Sequence, residues 1–254
     1  MTTAIINATI FDGTGRDPIP NGTLILEGDM IDRVGAGIEL PRGASVIDAA
    51  GATVMPGMID CHVHLFGKVS PVHERPRFPV SLQLFHAAKN ALRTLDSGFT
   101  AVRDAGGSPQ GVKMAIADRL IPGPRMKISV GALSQTGGHG DETMPSGVRL
   151  RSTSGAGAEW PETLVDGPDE VRKATRELLR AGADFIKLHA TGGVLSPTDE
   201  PTDTGFTPEE IAIMVCEARA RGKTCMAHAG RRASRTLLRP GWNRSSTAPL
   251  WTKR

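Results

Sequence analysis

Ala181-Gly182-Ala183-Asp184-Phe185-Ile186-Lys187-Leu188-His189-Ala190 follows a helical run over 168–180, and its reading decides the fold class. A glycine just past a helix takes the left-handed conformation that a side chain resists, so Gly182 marks a helix end. The apolar run that follows reads as a buried strand. The same rhythm recurs twice more. Helical 82–96 meets Gly98 before Phe99-Thr100-Ala101-Val102, and helical 208–220 meets Gly222 before Lys223-Thr224-Cys225-Met226-Ala227. The last helix also starts well: Thr207 can cap, Pro208 fits the first turn and Glu210 completes a capping box. Alternating helices and strands call for a parallel sheet. Five such strands are expected, at 58–64, 99–103, 126–130, 185–189 and 224–228. Polar residues gather at their C-terminal ends: His62 and His64, Asp104, Lys187 with His189, and His228. That edge carries the active site in a (β/α)₈ barrel and in a doubly wound open sheet alike, so the strands alone do not choose between them.

Upstream, residues 1–56 hold short alternating runs separated by Gly-rich turns, which read as a small β-module. The 254 residues allow one large domain or a domain with an appendage. A hydrophobic fraction of 39% supports a substantial core, and 22% charged residues is ordinary for a globular chain. The start, MTTAIINATIFDG, has no basic segment leading into an apolar run, so no signal peptide is expected, and no apolar stretch is long enough to span a bilayer. Cys61, Cys216 and Cys225 form no spaced pair, which suits a reducing, cytoplasmic setting. The net charge of +3 comes from the end of the chain: residues 230–254 carry seven basic residues and no acidic one, and without them +3 becomes −4.

His62-Val63-His64 places two imidazoles on one side of a strand, where they can share a metal ion. Alone, this pattern fits two ordinary polar residues equally well. Lys187 alone reads as an edge lysine reaching solvent, but an interior strand would make a bare ammonium costly. His228 alone is more often a satisfied core or surface residue than a ligand. His139, in Ser134-Gln135-Thr136-Gly137-Gly138-His139-Gly140-Asp141, either faces substrate or sits on the surface of a loop. His73, His86 and His189 lack ligand spacing, although His189 falls on Lys187's side of the strand.

Taken together, these segments resemble the amidohydrolase superfamily. Met55-Pro56-Gly57-Met58-Ile59-Asp60-Cys61-His62-Val63-His64 is similar to its PG(L/M)IDxHxH signature, Lys187-Leu188-His189-Ala190-Thr191-Gly192-Gly193 to the segment of its bridging lysine, and Ala227-His228-Ala229 to its next ligand. Residues 132–141, with Val102-Arg103-Asp104-Ala105-Gly106-Gly107 and Gly192-Gly193-Val194-Leu195-Ser196-Pro197, resemble the prolidase-like and Xaa-Arg dipeptidase-like group. The resemblance covers residues 1–229. It implies an α/β chain: a partial (β/α)₈ TIM barrel of about five strands with a small N-terminal β-sandwich module. It further implies two divalent metal ions, with Zn²⁺ suited to the donors. His62 and His64 would hold one ion and His228 the other, and Lys187, carboxylated by CO₂, would bridge them. The implied reaction is hydrolysis of an amide bond in dipeptides or N-acyl amino acids by a metal-activated hydroxide. His139 would contact substrate, and residues 141–166, rich in Ser, Gly and Pro, would form a mobile lid.

The family also needs a histidine in an EHG-like motif after a sixth strand and an Asp after an eighth, and neither is present. The closing stretch GRRASRTLLRPGWNRSSTAPLWTKR breaks the helix–Gly–strand rhythm. Read in the shifted codon frame it permits Gln-Ala-Gly-Ile-Lys and later Glu-His-Gly, which are family-like. The expected organisation is therefore a β-module at 1–56, the first part of the barrel at 57–229 and an out-of-frame tail at 230–254. Such a chain is expected to be an inactive fragment of a hydrolase. Its substrate would be a small amide or dipeptide. Nucleic acid is not expected, because the tail lacks an aromatic or helical recognition pattern. Nor is a membrane expected, and a homo-oligomer stays open for a full-length form.

Overall fold

The structure, a computed structural model, describes residues 1–150, 157–194, 196 and 199–230. The chain divides into two compact units, Met1–Met58 and Ile59 onward. In the first, β1 (Thr2–Ile10), β2 (Ile19–Glu27), β3 (Met30–Ala36), β4 (Ser45–Asp48) and β5 (Thr53–Val54) form one five-stranded sheet. Its path is β3-β2-β1-β4, with β5 also on β1. The β1–β2 and β2–β3 pairs are antiparallel, and β4 and β5 run parallel to β1. Ala8, Ile10 and Leu24 make its small core.

The second unit holds β6 (Met58–Val63), a 3₁₀ segment (Val72–Arg77), α1 (Val80–Asp96), β7 (Phe99–Asp104), α2 (Gln110–Ala117), β8 (Arg125–Ile128) and β9 (Ala132–Leu133). There follow α3 (Gly167–Arg180), β10 (Phe185–His189), α4 (Pro208–Arg219) and β11 (Thr224–His228). The glycines that end the helices are left-handed: Gly98 at φ 88°, Gly182 at 94° and Gly222 at 64°. The capping box at Thr207 and Glu210 is formed. The strands lie in two three-stranded sheets, ordered β6-β7-β8 and β11-β10-β9, with β7–β8, β9–β10 and β10–β11 parallel. Among the described residues they do not close into a barrel.

One core joins both sheets to the helices. Ala87 and Ala91 of α1, Val171 and Leu178 of α3, and Met214 and Ala218 of α4 pack with Val102, Ile128, Leu133, Ile186 and Leu188. Strand β10 is buried from Phe185 to Leu188, as its continuous apolar run requires.

Two features depart from the sequence reading. The strand expected at 126–130 stops at Ile128. Gly131 N–H donates to Ser129 O at 2.7 Å across Val130, which stands at φ 64° and is 1% exposed. This is the rare, strained form of the γ-turn. The glycine that follows is required by packing, because a Cβ at residue 131 would stand 2.6 Å from the Thr163 Cγ2. The second departure is α2, whose eight residues are too short for a clear periodic signal. Residues 231–254, and with them nearly all of the tail expected to be out of frame, lie outside the described residues, as do 151–156 of the expected lid. Among the described residues no helix is long and apolar enough to cross a membrane.

Candidate functional site

The C-terminal ends of both sheets open into a cavity of about 480 Å³. Its lining includes His62, His64, His139, Lys187, His189 and His228. The fold thus brings to one place every residue singled out as a ligand or substrate contact, together with His189. Alternation along β10 had put His189 on this side. Its contact with His139, from a distant loop, had no sequence signal.

The two halves of the cavity come from different sheets. On β6 and just beyond it, the His62 and His64 rings lie 5.3 Å apart. His64 Nδ1 is 3.0 Å from the carbonyl oxygen of Gly106. A carbonyl only accepts, so Nδ1 carries the proton, and in the neutral ring Nε2 keeps its lone pair. On the other sheet, Lys187 lies within β10, and His228 ends the neighbouring β11. The His228 ring stacks on His139 at 4.7 Å and meets His189 edge-on at 5.9 Å.

Lys187 is 2% exposed, and its Nζ has no hydrogen-bond partner among the described residues. Burial, with a further push from the Arg103 guanidinium, brings its pKa down to about 8. At neutral pH roughly a tenth of the population is then neutral amine, far more than for an ordinary lysine. The half-buried Arg103 lies 4.5 Å over the Phe185 ring. His139 has its pKa lowered by burial, against the opposing charge of Asp199, whose carboxylate lies 3.9 Å from Nδ1. Burial in turn raises the Asp199 carboxyl. Deeper, burial raises the Asp104 carboxyl, although the Leu65 N–H, the Ser108 hydroxyl and the Gly106 N–H all donate to it. Phe66 and Trp160, 5.5 Å apart, make an apolar wall, and the indole N–H of Trp160 is satisfied by Gly107 O at 3.0 Å. Around the rim, Arg75 pairs with Glu142 at 3.0 Å.

Among the described residues, no three His, Cys, Asp or Glu side chains gather closely enough to hold a metal ion by themselves. The donors that do converge are imidazoles and one buried, unpartnered lysine. An ammonium cannot bind a cation. A lysine carrying a carboxyl group on Nζ offers anionic oxygens, and the set then fits a divalent ion in part.

A twisted parallel αβ array with histidines and a buried lysine at its C-terminal edge belongs to a known class. The chain is a member of the amidohydrolase family, matching it over residues 53–236. That family generally uses divalent metals. Among its relatives, an ochratoxinase from Aspergillus niger is 33% identical over 242 residues, covering 89% of this chain and 50% of that protein. Of the solved structures, a prolidase complexed with N-methylphosphonate-L-proline is 36% identical with a TM-score of 0.84, covering 95% of this chain and 59% of that one. A Xaa-Pro dipeptidase with methionine bound in its active site is 28% identical with a TM-score of 0.79, covering 92% and 58%. The prolidase-like likeness carried by the loop motifs is thus found in the structural neighbours. The chain spans about half the length of the curated relatives it matches.

Proposed function

We propose that the second unit is the first part of a (β/α)₈ barrel of a metal-dependent amidohydrolase, and that the first unit belongs to an accompanying β-sandwich. The reaction is hydrolysis of the amide bond of a dipeptide or an N-acyl amino acid. The observation that carries this reading is the buried, unpartnered Lys187 Nζ in a cavity with His62, His64 and His228. The neutral fraction of the amine, enlarged by burial, attacks the carbon of CO₂, a bond forms between Nζ and carbon, and one proton leaves to solvent. The resulting carbamate is an anionic oxygen donor. In this reading His62 and His64 hold one ion, His228 the second, and Lys187 bridges; zinc suits the donors. When bound, the two ions supply a nucleophile at neutral pH and polarise the scissile carbonyl. His139 lies where it can contact substrate, and the Phe66–Trp160 wall accepts an apolar substituent. Amide-cleaving relatives support the substrate class: the ochratoxinase, the prolidase and the Xaa-Pro dipeptidase.

A second reading follows from the chain's coverage of about half its relatives. In it this chain is a non-catalytic fragment of such a hydrolase, because positioned acid–base groups commonly contribute about 10²–10⁴-fold to rate and residues beyond the match would supply them. The two readings part on one experiment. The 254-residue chain, and a protein extended to the relatives' length, are loaded with Zn²⁺, Mn²⁺ or Co²⁺ and assayed on dipeptides and N-acyl amino acids. Turnover by the extended protein alone favours the fragment reading. Lys187→Ala in the active form should remove most activity, with partial recovery on adding short carboxylates. Unchanged activity in that variant would overturn the bridging role.

A further inference from the structure

Asp104 ends β7 fully buried, and nothing in the proposed chemistry uses it. Its Oδ2 accepts from the Leu65 backbone N–H at 2.8 Å and from the Ser108 hydroxyl at 2.7 Å, and its Oδ1 accepts from the Gly106 N–H at 3.0 Å. A buried carboxylate is tolerated only when its oxygens are satisfied in this way. The grip is two-sided. Leu65 directly follows His64 in the chain, while Gly106 is the residue whose carbonyl returns to His64 Nδ1. The turn between them is unusual backbone: Gly106 stands at φ 141° and Gly107 at 108°. It is pinned further by Ala105 N–H on Val63 O and by Gly107 N–H on Val130 O, both at 2.8 Å.

We propose that Asp104 is a positioning residue for His64. By gripping Leu65 and Gly106 together, it holds the Gly106 carbonyl on Nδ1 and leaves Nε2 as the nitrogen with a free lone pair. An asparagine cannot replace it. The amide offers one acceptor oxygen and an NH₂ group, so at least one of the three donors would face another donor. The link from His64 to a metal ion rests on the function proposed above, whereas the link from Asp104 to the His64 proton does not.

The test separates the two. The ring nitrogens of His64 are observed by ¹⁵N NMR in the metal-free 254-residue chain at about pH 8, where an ordinary imidazole is neutral. His64→Gln assigns the signals. Wild type should hold the proton on Nδ1. In Asp104→Asn it should move toward the Nε2-protonated form that free histidine favours, and the affinity for added Zn²⁺ should fall about 10–100-fold. Ser108→Ala removes one donor and keeps two, so it should shift the proton the same way with a loss of about five-fold. Circular dichroism reports whether each variant folds. If Asp104→Asn does not fold, Ser108→Ala decides. A His64 proton that stays on Nδ1 in the folded variants overturns the proposal. A proton that moves in a protein that binds no Zn²⁺ upholds Asp104 and overturns only its link to metal binding in this chain.

Discussion

Strand β10 lies between β9 and β11 with Phe185 through Leu188 buried, whereas β6 has β7 beside it and shows Met58 at 40% and Ile59 at 66% exposure. Both bring polar residues to the same cavity. On β10 packing does the positioning: neighbours on two sides and two faces fix the Lys187 stem, and the same burial disfavours its charge. On β6 little is packed, so the histidines depend on polar clamps. Asp60 accepts from the His62 N–H at 2.9 Å, and Gly106 O holds the His64 ring. A cavity can thus be assembled from a side chain held by close packing and others held by hydrogen bonds, and the two kinds fail differently.

The strongest way to break this contrast is in the core. Ile186 is 0% exposed, so Ile186→Ala should cost about 2–5 kcal/mol, read from the urea midpoint. A loss no larger than that of a surface substitution would mean that β10 is not held by packing. The next effect concerns Asp184, which locks the start of β10 to its surroundings. It accepts from Lys113 Nζ at 2.7 and 2.9 Å and from the Ile128 N–H at 2.9 Å. Burial would raise its carboxyl, but Lys113 and the Ile128 N–H more than offset this and the pKa lies below the ordinary value. Asp184→Asn should cost about 1.5–3 kcal/mol at neutral pH. Because the folded pKa is the lower one, that contribution is complete above the unfolded value of about 3.9 and is lost as pH falls through the folded value. Denaturation of wild type and variant should therefore converge in acid, and a constant difference down to about pH 2 would remove the ionic part of the account. The smallest effect sharpens the other side: Ile59→Ala on the exposed face of β6 should change stability by less than about 0.5 kcal/mol.

Much of this architecture was readable from local signals. Residues 185–189 and 224–228 were expected as strands and are found with those bounds, because each is an apolar run set off by a capping glycine. The convergence of His62, His64, Lys187 and His228 on one edge follows from their places at strand ends. What could not be read depends on distant partners. Val130 is β-branched and looks like strand, yet it stands at φ 64°, and the crowding of Thr163 against residue 131 comes from far along the chain. Asp104 was visible as a polar strand end. Its grip on Leu65, 39 positions away, was not.

His62 and His64 hang from the sheet that ends at β8, Lys187 and His228 from the sheet that begins at β9, and Val130 is where one becomes the other. The cavity lies over this seam, and the seam is riveted: the Ile128 N–H donates to Asp184 Oδ2 at 2.9 Å and the Asp184 N–H to Ile128 O at 2.7 Å. The core that both sheets share leaves no room for one to swing against the other. A side chain held at positive φ costs on the order of 1–3 kcal/mol, which the packing around the buried Val130 has to offset. The distance between the two sets of polar side chains is therefore set at a seam that carries no chemistry of its own.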